Sequence, residues 1–142
     1  MSIKRKMPTL KQVVVVFLSF VLSSVSVHEA AVNQIQHTGT YSSLEYNKEG
    51  GNLLGMELKI VSTKYGYQGV LQISEGIPSE LMLVGIQIEK ENISFEIPKA
   101  YSIYGGMIFQ GKFDENGITG SFISGGKPGN PEKLIRKPSY WD

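Results

Sequence analysis

Two stretches in tandem decide the fold: Leu54-Gly55-Met56-Glu57-Leu58-Lys59-Ile60 and Tyr67-Gln68-Gly69-Val70-Leu71-Gln72-Ile73-Ser74. In the first, Leu54, Met56, Leu58 and Ile60 share one face of an extended chain, and Glu57 and Lys59 take the other. In the second, Tyr67, Gly69, Leu71 and Ile73 alternate with Gln68, Gln72 and Ser74. A period of two is the mark of a β-strand with one face on a core and one in water. Between them, Lys64-Tyr65-Gly66 reads as a tight turn, so the pair predicts an antiparallel hairpin.

The same pattern continues outward. Ile93, Phe95 and Ile97 alternate with Ser94 and Glu96, and Phe109, Gly111 and Phe113 with Gln110 and Lys112. Residues 81–88, Leu-Met-Leu-Val-Gly-Ile-Gln-Ile, are apolar on both faces, which predicts a strand covered on both sides or lying at a contact. Turn signals recur at 47–52, 75–78, 90–92 and 115–117. The strands expected are therefore about 38–46, 53–62, 67–75, 80–89, 92–97, 106–114, 118–124 and 132–137. Every connection is too short for a crossover helix, which excludes a parallel sheet. The chain reads as all-β: a single antiparallel meander barrel of about eight strands, with a β-sandwich as the alternative. Closure favours the barrel because it removes exposed edges. Asn116-Gly117, taken as a two-residue turn, would pair Glu115 with Ile118, Phe113 with Gly120 and Gly111 with Phe122, laying a ring over each glycine.

The start of the chain is of another kind. Lys4, Arg5, Lys6 and Lys11 precede an apolar run at 13–22, followed by the small residues of Ser24-Val25-Ser26, and no acid occurs before Glu29. This is the layout of a secretory signal. The expected organisation is a signal helix and peptide at 1–26, a flexible arm at 27–37 and the β-barrel domain at 38–142. Cleavage after Ser26 leaves ten basic residues against thirteen acids, a net charge of −3. The product is expected to be secreted or periplasmic, with membrane anchorage through an uncleaved N-terminal segment as the alternative. The apolar run is short of the roughly 20 residues that span a bilayer.

Composition narrows the chemistry. There is no cysteine, and the only histidines are His28 and His37. Thiol chemistry, histidine acid–base catalysis and a metal site are not expected, nor is a cofactor. An acidic domain lacks the basic stripe that nucleic acid requires. Glu75, Glu80, Glu89, Glu91 and Glu96 fall at turns or on polar strand faces, as solvated charge does. No Gly-x-Ser-x-Gly elbow occurs, and Gly125-Gly126-Lys127-Pro128-Gly129 lacks the ending of a phosphate loop. Asn92-Ile93-Ser94 is a glycosylation sequon in a host that glycosylates exported proteins. No catalytic residue is assigned.

The aromatic residues carry the remaining signal. Tyr65, Tyr67, Tyr101 and Tyr104 flank turns or the longest internal loop, which Pro98 opens. Gathered at one rim, they are the candidate ligand-binding residues, with the loop from Pro98 to Gly106 as a lid. The terminal Ser139-Tyr140-Trp141-Asp142 is expected to pack back onto the barrel, with partner docking as the alternative.

The motifs Gly39-Thr40-Tyr41, Gly50-Gly51-Asn52-Leu53-Leu54-Gly55, Phe109-Gln110-Gly111-Lys112-Phe113 and Ser139-Tyr140-Trp141-Asp142 resemble those of small exported bacterial β-proteins. In architecture the chain is similar to lipocalin-like and avidin-like meander barrels. Tyr41 stands where the lipocalin Gly-x-Trp start has its Trp, so the resemblance implies architecture alone. The function expected is an exported, non-enzymatic binding domain for a small apolar or glycan ligand or a protein partner. The alternative is a periplasmic protein-directed inhibitor or immunity factor.

Overall fold

The computed structural model describes residues 36–101 and 103–142. The signal segment 1–26 and all but the last two residues of the arm at 27–37 lie outside the described residues.

The strands are β1 (Gly39–Ser42), β2 (Glu45–Asn47), β3 (Asn52–Thr63), β4 (Gly66–Gly76), β5 (Met82–Glu89), β6 (Asn92–Glu96), β7 (Ile108–Asp114), β8 (Gly117–Ser124), β9 (Lys127–Pro128) and β10 (Glu132–Arg136). Strands β3 to β8 pair in sequence order, β8 pairs β10, β10 pairs β1, and β1 returns to β3. Every ladder is antiparallel. The result is a closed eight-strand barrel, with β2 continuing β1 along β3 and β9 added to β8. The sandwich alternative is therefore set aside.

Alternation places the core. Leu58, Leu71, Met82, Phe109, Ile118 and Leu134 are fully buried inside the barrel. Phe95 and Phe109, directly paired across β6 and β7, stack with ring centroids 5.0 Å apart. Phe122 meets Phe109 edge-on at 5.3 Å.

Two local expectations need correction. The first is the face of Leu54, which is exposed while Leu53 is buried. Gly55 adopts a positive φ of 106°, and a Cβ there would come within 2.6 Å of the Ser43 carbonyl oxygen. That conformation, open to glycine, breaks the alternation so that the strand changes face below Met56.

The second is the β7–β8 hairpin. The turn is Asp114-Glu115-Asn116-Gly117, closed by Asp114↔Gly117, so Phe113 faces Ile118, Gly111 faces Gly120 and Phe109 faces Phe122. Neither Glu115 nor Asn116 has a positive φ, as an Asn-Gly turn of the mirror-image kind would need. Asp114 and Gly117 instead take the first and last places of an ordinary turn. The Asp114 carboxylate accepts the Asn116 N–H at 2.8 Å. Gly117 is held in place because a Cβ there would overlap the Leu134 carbonyl of β10. Glycine cover survives in another form. A Cβ at Gly120 or Gly111 would come within 2.5 Å and 2.9 Å of the Phe109 ring, so one ring covers the facing pair.

Candidate binding surface

Successive connections of a meander alternate between the two ends of the barrel. The first end carries the β3–β4, β5–β6 and β7–β8 turns, and the second carries the β4–β5 and β6–β7 connections. Tyr65 and Tyr67 lie at the first end, Tyr101 and Tyr104 at the second. The four tyrosines therefore do not form one rim.

Each has its own surroundings. Tyr65 is exposed in its turn, with the Lys64 ammonium 4.8 Å from its ring centre. Tyr67 packs on the core, with its ring 6.0 Å from that of His37. The Tyr101 hydroxyl accepts the Leu83 N–H at 3.0 Å. Pro98 stops β6 from following β5 there, and the phenol supplies the acceptor the ladder lacks. Burial, and then the Glu75 carboxylate, push the Tyr104 phenol above its ordinary pKa.

The loop expected as a lid is tied into the barrel end. Ile97 N–H donates to Met107 O at 2.9 Å, Gly106 N–H to Ile97 O at 2.7 Å and Gly105 N–H to Tyr101 O at 2.7 Å. Ile97 is fully buried, and Tyr101, Tyr104 and Met107 pack against the core.

The first end is strapped by residues 36–38. Tyr41 OH donates to the carbonyls of Gln36 and His37, both at 3.0 Å. Arg136 Nη1 donates to Gln36 O at 2.8 Å and Nη2 to Thr38 O at 2.5 Å. The His37 ring rests 4.7 Å from that of Phe113. Burial raises the Tyr41 phenol pKa, and the Arg136 guanidinium opposes the rise.

The strand glycines Gly69, Gly111 and Gly120 could have left a cavity, but their space is taken. A Cβ at Gly69 would meet Ile86, Leu58 and Val84 at 2.7, 2.9 and 3.1 Å, and Phe109 occupies the room beside Gly111 and Gly120. The side chains close over these positions.

The outer wall divides into two parts. Over β1 and β3 the C-terminal tail lies across the barrel. Glu57, facing out and paired with Ser42, is only 7% exposed. Its carboxylate accepts Ser139 Oγ–H at 2.6 Å and Tyr140 N–H at 2.8 Å. The tail thus packs back onto the barrel through polar contacts and not, as expected, by burying its rings, since Tyr140 and Trp141 stay 40% and 53% exposed. Alternation alone placed Glu57 among solvated acids. No local signal marks it, because its partners lie 82 and 83 residues away.

Strand β5 shows the other part. Met82, Val84 and Ile86 are buried, while Leu81 and Leu83 are 61% and 64% exposed. The two-sided apolar stretch is thus uncovered on its outer side among the described residues. Ile77 and Ile103 are exposed on the two loops at the same end. Beyond Gly85 the outer face turns polar, and a shallow groove of about 550 Å³ crosses β5–β8, lined by Gln87, Asn92, Ser94, Gln110, Lys112 and Thr119 among others. A second depression of about 290 Å³ shares Gln87, Ser94 and Gln110 and runs on to Gly85, Glu96 and Ile108. Among the described residues, no three His, Asp or Glu side chains gather as a metal site would require.

Compared with protein-family models, with curated proteins and with solved structures, the chain matches none.

Proposed function

We propose that this chain is an exported, non-enzymatic binding domain that engages a protein partner through the outer face at the start of β5. One observation carries the reading: Leu83 stands out from β5, and Leu81 is exposed just before it, on either side of the fully buried Met82. Two leucines on successive outward positions, with Ile77 and Ile103 exposed at the same end, form an apolar surface of the kind that marks interaction sites. The strand backbone is paired to β4 from Met82 to Ile86, so Leu83 is held in place and its backbone loses little order on association. Lipocalin-like and avidin-like barrels hold a small ligand inside. The filled glycine positions here favour contact on the outside instead. An inhibitor or immunity factor is the form of this reading in which the partner is an enzyme, distinguished by loss of the partner's activity on binding.

The test is site-specific photo-crosslinking in the source cells. A photoreactive residue at position 83 should give a discrete adduct, and one at Lys59, exposed on β3, should not. Leu81→Ser should abolish the adduct. No adduct from position 83, or the same adduct from position 59, would overturn the proposal.

A further inference from the structure

The outer face of β5–β8 presents an ordered polar array that the protein-contact surface does not use. We infer that it is a second binding site, for a neutral, hydroxyl-rich oligosaccharide. The register sets side chains in cross-strand rows. Gln87 faces Ser94, Ser94 faces Gln110, and Gln110 faces Ser121, so amides and hydroxyls alternate across four neighbouring strands. A row on its first-end side reads Glu89, Asn92, Lys112 and Thr119. A row on its second-end side carries Glu96, Ile108 and Ile123. Both depressions meet on the amide row, so together they extend over all three rows along the strands. Rows two residues apart are about 6.7 Å apart, giving a track of about 13 Å.

The chemistry of this track selects its ligand. Each carboxamide both donates and accepts, as does each hydroxyl, which matches the mixed donors and acceptors of sugar hydroxyls. Among the described residues Gln87, Ser94 and Gln110 are not tied to a neighbour. Gln72 on β4, by contrast, donates to Ser79 O at 2.8 Å. Gly85 leaves a bare stretch of backbone where a Cβ would meet nothing within 4 Å. The half-exposed Ile108 lines the same depression from β7, on the far side of Glu96, and gives the C–H face of a sugar ring an apolar contact there. Charge argues against an anion, because the Lys112 ammonium is taken by Glu91 at 3.0 Å and Glu89 and Glu96 stand at opposite ends of the track.

The experiment titrates the purified domain with maltohexaose, cellohexaose and chitohexaose by calorimetry. At least one should bind, with an affinity unchanged between low and high salt, as for an uncharged ligand. Gln87→Ala with Gln110→Ala should weaken binding about tenfold, the expectation for two lost neutral hydrogen-bonding groups. Gly85→Val, a strand-compatible residue in open space, should block binding while leaving the unfolding midpoint unchanged. Leu81→Ser, which abolishes the adduct from position 83, should retain sugar binding, which separates this site from the protein contact. Binding by none of the three sugars, or equal binding by Gly85→Val, would overturn the inference. So would binding of oligolysine in their place, which would make the site one for basic peptides.

Discussion

The two walls of this barrel are built alike on the inside and differently on the outside. Over β1 and β3, Glu57 is buried beneath the protein's own C-terminal tail. Over β5–β8, the outward Leu83, Gln87, Gln110 and Lys112 are left exposed. The first wall is therefore held from both sides, while the second depends on interior packing, chiefly the rings of Phe95, Phe109 and Phe122. A wall secured wholly from within can leave its outer face free for binding without loss of stability.

The strongest way to break this contrast is from inside. Phe109→Ala removes a fully buried ring that covers two glycines, and should lower unfolding stability in urea by about 3–5 kcal/mol. A loss below about 1 kcal/mol would mean that the exposed wall does not rest on this ring. Next comes the tether of the covered wall. Glu57→Ala leaves Ser139 Oγ–H and Tyr140 N–H without their acceptor and should cost about 1–3 kcal/mol. Trp141 is the only tryptophan, so its emission should move to the red as the tail leaves the barrel. Unchanged emission would show that the tail is held by something else. On the open wall, Leu83→Ser should change stability by no more than about 0.5 kcal/mol, as for an uncovered surface position. A much larger loss would mean that the leucine is covered in the folded protein.

The smallest effect belongs to the turn that joins β7 and β8. A hydrogen bond from Lys133, and then the Asn116 N–H, hold the Asp114 carboxyl below its usual pKa of 3.8. A lowered folded-state pKa favours folding above the usual aspartate range, and the benefit disappears as pH falls through the folded value. The pair is exposed, so the effect should shrink in salt. Asp114→Asn should remove this part of the acid limb in pH-dependent melting. An identical limb in the variant would show that Asp114 contributes nothing to it.

Much of the barrel was legible from single strands. Alternation along 92–97 and 106–114 placed Ile93, Phe95, Phe109 and Phe113 inside, because the side-chain period of an extended chain is a local property. The separation of the tyrosines was legible too. Tyr65 sits on the first turn of a run of hairpins and Tyr101 on the fourth connection, and turns an odd number of strands apart fall at opposite ends of a meander. Reading the tyrosines by their flanking turns, without counting strands between them, put all four at one rim.

What the chain's own pattern determined, then, was the identity and order of its strands and the face each gives to the core, since steric alternation needs only neighbours in sequence. Tertiary structure decided the rest. The β7–β8 register depends on the Leu134 carbonyl, which leaves no room for a side chain at Gly117. The change of face in β3 depends on Ser43 pressed against Gly55. Glu57 is buried, and Leu83 is not, because the tail returns to one wall of the closed barrel and leaves the other open. These outcomes follow from contacts between residues distant in sequence, whose geometry exists only once the sheet has closed.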